Sequence, residues 1–124
     1  MTEKQLQDTI CQYLLYSGFL VLRINSGAAT GEYKGVKRFI RFVWWQALGV
    51  MRKSAGVSDI LALRDGHLYA IEVKKPGKVG NVSDEQEEFL SAVRNRGGTA
   101  IVADSLETVQ GVVEAEHDLN VFQP

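Results

Sequence analysis

The stretch GVSDILALRDGHLYAIEVKK, residues 56–75, constrains the fold more than any other part of the chain. Two patterned segments flank Asp65-Gly66. An Asp-Gly pair in that setting is the strongest short-range signal for a two-residue β-hairpin and favours a type I′ turn. The turn dictates the register. Arg64 opposes His67, Leu63 opposes Leu68, Leu61 opposes Ala70 and Asp59 opposes Glu72. Directly opposed side chains have Cβ atoms roughly 4.5–5.5 Å apart. Lys74 lies two residues beyond Glu72 and so points to the same face, over a floor of Leu61, Leu63, Leu68 and Ala70.

Opposed like charges are destabilising. Two carboxylates at that range raise one pKa or take a cation between them. A divalent ion with oxygen ligands meets that need, because Mg²⁺ binds one or two carboxylates and keeps waters and substrate phosphate as its other ligands. Lys74 beside such an ion is placed to position or deprotonate a water, or to steady a phosphate oxygen. Those are the parts of metal-assisted phosphodiester hydrolysis. The same three residues also describe a surface ion-pair cluster, and a slip of one residue would send the acids to opposite faces.

A chain of 124 residues reads as one domain, 1–124, long enough to bury about two-thirds of its unfolded surface. No run of 18 apolar residues offers a membrane span, and MTEKQLQDTI lacks a signal-peptide core. Cys11 is the only cysteine, which excludes an intrachain disulfide and a cysteine zinc site and makes a reducing cytoplasm the expected location. The net charge of −1 hides an asymmetry. Residues 21–78 hold eleven Lys/Arg against four acids, whereas the flanks hold three against eleven. One basic face on a near-neutral protein suits a phosphate backbone, and a chance grouping of solvated charges is the plainer reading.

Along the chain, Thr2 and Gln5 form a capping box ahead of Leu6, Ile10, Tyr13 and Leu14 at helical spacing, with Gly18 as the stop. FLVLRI (19–24) reads as a buried strand, NSGAATGEYKG (25–35) as a turn-rich loop, VKRFIRFVWW (36–45) as a strand, and 46–56 as a loop or one helical turn. After the hairpin, Ser83 and Gln86 form a second capping box opening a helix to about Arg96, with Phe89, Leu90 and Val93 inward and Gly97-Gly98 at its end. TAIVAD (99–104) is a strand, and 105–117 a helix with Leu106, Val109, Val112 and Val113 inward. HDLNVFQP (117–124) reads as a loose tail, and His67 as a solvated turn residue. The order predicts an α/β fold, a mixed central sheet flanked by helices.

Between Tyr33 and Lys53 the cations Lys34, Lys37, Arg38, Arg41, Arg52 and Lys53 meet no acid and are interleaved with Phe39, Phe42, Trp44 and Trp45. With Lys75 they are the candidate DNA-binding residues. The cations suit phosphates, and the aromatics suit either an unpaired base, a core or a dimer contact.

Ser58-Asp59, then Glu72-Val73-Lys74, then Gln86 and a glycine-ended helix resemble the PD-(D/E)XK nucleases. The longer pattern GVSDILAL…LYAIEVKKPGK…SDEQEEFL…RGG resembles the VRR-NUC (virus-type replication-repair nuclease) family in particular, and more distantly the archaeal Holliday-junction resolvases. Ser58 stands where such nucleases commonly have Pro. The resemblance implies a restriction-endonuclease-like core in which Asp59, Glu72 and the main-chain carbonyl of Val73 hold Mg²⁺ or Mn²⁺. Lys74 is then the catalytic lysine, Gln86 the helix glutamine near the site, and Glu3 a support of the metal through water. It implies a homodimeric endonuclease for branched DNA, of Holliday-junction or flap type, acting without a membrane. A restriction-like or non-specific endonuclease, an inactive DNA-binding module and a structural interaction domain are the alternatives. For Gln86 and Glu3 there are plainer roles: a capping-box partner and a favourable charge in a first helical turn.

Overall fold

The computed structural model describes residues 1–24, 29–33, 36–40 and 43–122, with the backbone alone at 29–33, 36–40 and 118–122. The chain runs through α1 (Glu3–Tyr16), β1 (Leu20–Arg23), β2 (Ala29–Tyr33), β3 (Val36–Ile40), β4 (Trp45–Ala47) and β5 (Val50–Lys53). It continues through β6 (Ile60–Arg64), β7 (His67–Val73), α2 (Asp84–Arg94), β8 (Thr99–Ala103) and α3 (Leu106–Phe122). The α/β reading is correct. A four-stranded mixed sheet of order β1-β6-β7-β8 lies at the centre, antiparallel except for the β7–β8 pair. Parallel neighbours need a crossover, and α2 supplies it.

The β6–β7 register follows the turn chemistry: Arg64 pairs with His67, Leu63 with Leu68, Leu61 with Ala70 and Ile60 with Ile71. Asp65 and Gly66 both take positive φ, 54° and 76°, as a type I′ turn requires. Side chains alternate across the sheet. Ile60, Ala62, Tyr69, Ile71 and Val73 face the core beneath α1 and α3, where Leu6, Ile10, Leu14, Val109 and Val113 are buried. Ala70 and Leu61 face α2, against Leu90, Val93 and Phe89. Glu72 continues this second face near the end of β7, with Asp59 just before β6 and Lys74 just after β7. Gln86 at the N-terminal end of α2 reaches both Glu72 and Lys74. The register itself runs only to Ile60 and Ile71, so Asp59 and Glu72 are not a ladder pair.

Both capping boxes form. Thr2 and Gln5 bond reciprocally at α1, as do Ser83 and Gln86 at α2. Several expectations need correction. FLVLRI does form a strand, β1, but it lies at the sheet edge with Leu20 and Leu22 exposed rather than buried. The segment 36–45 is not one strand, since β3 is Val36–Ile40 and Trp45 opens β4. Residues 25–35 are not all loop, because Ala29–Tyr33 is β2, paired antiparallel with β3. The segment 46–56 is neither a loop nor a helical turn, since Trp45–Ala47 and Val50–Lys53 form a second hairpin. Its turn depends on Gly49 at φ 84°, a conformation glycine reaches without strain, whereas Leu-Gly carries none of the Asn-Gly or Asp-Gly hairpin signal. The tail is helical to Phe122, and no Gly or Pro interrupts the sequence from Val112 to Gln123. His67 is half-buried rather than solvated. Its Nε2 lies 2.7 Å from Thr99 Oγ1, in a network through which Thr99 and Tyr69 both donate to Glu116 on α3.

Candidate active site

The site grows from the far end of the β6–β7 hairpin. Asp59 immediately precedes β6, and its backbone carbonyl still accepts from Ile24 N–H at 2.7 Å, prolonging the β1 ladder. Its side chain turns to the neighbouring strand, where Oδ2 accepts the Val73 N–H at 2.8 Å. The two polar groups of a strand residue face the same neighbour, so the Val73 carbonyl is directed toward Asp59 as well. Asp59 and Glu72 are buried, 7% and 3% exposed, which is rare for carboxylates.

Gln86 ties the group together. Its Nε2 donates to Glu72 Oε1 at 2.8 Å, and its Oε1 accepts both from Lys74 Nζ at 3.0 Å and from the Ser83 N–H at 2.9 Å. The side chain therefore closes the capping box and orients the acid and the lysine at once, and the two roles assigned to it coexist. Lys74 Nζ is 3.6 Å from Glu72 Oε1. Glu72 Oε2 has no hydrogen-bond partner among the described residues. Burial, then the charge of Asp59, push the Glu72 pKa up to about 8, against the opposing pull of Lys74.

Two features were missed in the sequence. Gly56, at φ 98°, lies so close to the first turn of α2 that an added Cβ would be 2.3 Å from the Glu85 carbonyl oxygen. That contact sets the distance between the Asp59 segment and Gln86, and a glycine three residues before Asp59 was its only trace. The second is the bracing by the β4–β5 hairpin. Trp45 Nε1 donates to the Ala55 carbonyl at 2.7 Å, and its ring meets Phe89 of α2 edge to face at 5.3 Å. Trp45 is therefore a core residue, while Trp44 is exposed with the Arg52 guanidinium 4.5 Å above its ring. The Ser58 hydroxyl is fully buried without a hydrogen-bond partner among the described residues.

The structure thus brings together Asp59, Glu72, Lys74 and Gln86. Glu3 is exposed in the first turn of α1, and among the described residues no third His, Cys, Asp or Glu joins the acid pair. Lys53 makes a surface ion pair with Glu88 at 3.7 Å, and Arg52 and Lys75 are exposed. Lys37 and Arg38 lie on β3 opposite Glu32 and Gly31, with side chains outside the described residues, and Lys34 and Arg41 fall outside them altogether. Among the described residues no helix is long and apolar enough to cross a membrane.

A mixed four-stranded sheet with helices on both faces, carrying paired acids and a lysine at one strand end, belongs to the restriction-endonuclease-like class. The VRR-NUC domain model matches residues 1–107, and the chain belongs to that family. The family comprises nucleases, hydrolases acting on DNA that generally use divalent metals. Neither the curated proteins nor the solved structures contain a match.

Two outcomes follow from this geometry. A carboxyl whose pKa rises from 4.5 unfolded to about 8 folded binds its proton more tightly in the native state. Its contribution to stability is complete below about pH 4.5 and is lost as pH rises through about 8. In metal-free buffer Glu72→Gln should therefore raise the melting temperature at about pH 8.5 by several degrees and flatten its fall between about pH 5 and that point. Scanning calorimetry across that range checks both. Gly56→Ala should lower the unfolding free energy by about 1–3 kcal/mol through strain at positive φ and the clash with α2, read from urea unfolding.

Proposed function

We propose that the chain is a Mg²⁺- or Mn²⁺-dependent, structure-specific endonuclease that hydrolyses phosphodiester bonds in branched DNA of Holliday-junction or flap type. The observation that carries this reading is the unpartnered Glu72 Oε2, among the described residues, inside a buried, opposed pair of acids beside Lys74. An acid pair so placed fits a divalent cation and oxygen chemistry. Asp59, Glu72 and the Val73 carbonyl are the residues that would hold the ion, with Glu3 a further support through water. When bound, the ion supplies Lewis-acid charge for the phosphate and a more acidic water.

The chain's own groups do the rest. Glu72 keeps its carboxyl proton until pH rises through about 8, and a divalent cation held by the acid pair would take that proton's place. Lys74 donates to a phosphate oxygen or to the attacking water, and Gln86 holds its ammonium and Glu72 in one orientation. The acid-free run of cations from Lys34 to Lys53, with Lys75, suits the DNA backbone. Trp44, Leu48 and Met51 are large, apolar and exposed, the surface a second copy of the chain would cover in a homodimer.

The test is incision of linear duplex, flap and four-way-junction DNA in Mg²⁺, Mn²⁺ and EDTA. Branched substrates should be cut with either metal and not in EDTA. Glu72→Ala and Lys74→Ala should each lose at least about a hundredfold in rate while remaining folded by circular dichroism. Equal cutting of linear and branched DNA would favour a non-specific endonuclease, and DNA binding without any cutting an inactive module. For the dimer, light scattering on the eluted protein should give twice the 13.7 kDa chain mass, and a monomer at micromolar concentration would refute it.

A further inference from the structure

The loop from β7 to α2 is exposed from Lys75 to Asn81 and contains no acid, yet it is a built structure. Its start is fixed, because the Lys74 N–H donates to the Ala103 carbonyl at 2.8 Å and prolongs the β7–β8 ladder. Lys75-Pro76-Gly77-Lys78 then closes a β-turn, with the Lys78 N–H on the Lys75 carbonyl at 2.9 Å. Proline sets φ at the second position and Gly77 has φ 82° at the third, the combination of a type II turn. A second turn follows, in which the Asn81 N–H donates to the Lys78 carbonyl at 3.0 Å. One side chain from outside the loop holds it. Asp104, just after β8, accepts the Gly77 N–H at 3.0 Å through Oδ2. Lys75 and Lys78 make no ion pair among the described residues, either with Asp104 or with the acids in the first turns of α2 and α3.

We propose that this turn is a clamp on the backbone of the DNA strand being cut. Lys75 and Lys78 grip phosphates beside the scissile one, and Asp104 is the positioning residue that holds the turn in place. The choice of DNA rests on the nuclease reading above. Lys75 directly follows the lysine of the acid pair, at a Cα separation of ~3.8 Å. Lys75 and Lys78 are the first and fourth residues of the turn, so their Cα atoms lie within about 7 Å. About two steps of ~3.4 Å along one DNA strand cover that distance. A strand with a phosphate at the acids therefore brings its neighbouring phosphates within reach of two ammonium groups on flexible four-carbon stems. The loop is exposed throughout, so no described element closes the way to it. Asp104 acts on such a strand in two opposite senses. Its charge repels phosphate, whereas its hydrogen bond fixes the turn that presents the lysines.

The test measures binding of labelled duplex and four-way-junction DNA to the full chain in EDTA, by fluorescence anisotropy at several salt concentrations. Incision of the same DNA is followed in Mg²⁺. Lys78→Ala should weaken binding at least about fivefold and lower the salt slope by about one, and Lys78→Arg should restore both. In incision it should raise KM by a similar factor and leave kcat within about twofold. Asp104→Ala should weaken binding at least about threefold although it removes a negative charge. Asp104→Asn, whose amide oxygen still accepts from Gly77, should bind as well as the unaltered chain or better. In a Lys75→Ala/Lys78→Ala background Asp104→Ala should weaken nothing further. Unchanged affinity in Lys78→Ala, or no binding to either DNA, overturns the clamp. Equal or tighter binding by Asp104→Ala, or an equal loss in Asp104→Asn, overturns the role of Asp104. Lys78-dependent binding of a poly-glutamate peptide, with DNA binding indifferent to Lys78, overturns the assignment to DNA. Incision with an unchanged KM in Lys78→Ala sinks the clamp alone, and Lys78-dependent DNA binding without any incision sinks the nuclease reading alone.

Discussion

Two carboxylates are forced to face each other inside the protein, and the local structure is arranged around that constraint. The cost of burying Asp59 and Glu72 side by side is reduced in stages. A backbone N–H serves Asp59, the Gln86 amide serves one oxygen of Glu72, and the Lys74 ammonium stands close by. The other oxygen of Glu72 still has no hydrogen-bond partner among the described residues. Ordinary folds avoid such an arrangement, because a buried charged group without full compensation destabilises them. Here the raised Glu72 pKa removes part of that cost by keeping its proton on, and the pair sits in a chain of a nuclease family that generally uses divalent metals.

Positioning the pair takes most of the fold. The Asp-Gly turn sets the register, and the central place of β7 buries both of its faces. The crossover helix α2 then brings its N-terminus over the strand end, where Gln86 joins the helix cap to the acids. Gly56 permits the close approach of α2, and Trp45 anchors the second hairpin to the loop that leads into Asp59. Local helix chemistry and site chemistry thus meet in one side chain, so displacing the first turn of α2 would disturb both.

The second hairpin has two different sides. Its inner residue Trp45 belongs to the core and walls the cleft beside α2, while Trp44, Leu48 and Met51 stay exposed. Asp84, Glu87 and Glu88 line one of the two clefts beside it and among the described residues no carboxylate lines the other, while Ala92 and Arg96 line both.

Part of this was determined by sequence alone. Asp65-Gly66 specified a turn whose two residues need positive φ, and a register that runs to Ile60 and Ile71, next to Asp59 and Glu72. Ser83 and Gln86, three residues apart, specified a helix start. These are short-range effects of backbone sterics and hydrogen bonding, legible without knowing what packs where. The tertiary structure decided the remainder. Leu48-Gly49 holds no strong turn signal, so the β4–β5 hairpin depends on Trp45 finding Phe89 and Ala55. His67 became part of a half-buried network only because α3 delivers Glu116 to it. The double role of Gln86 arises because the sheet and helix meet at that strand end. Each depends on groups far apart in the chain, and only the packed fold sets the distance between them.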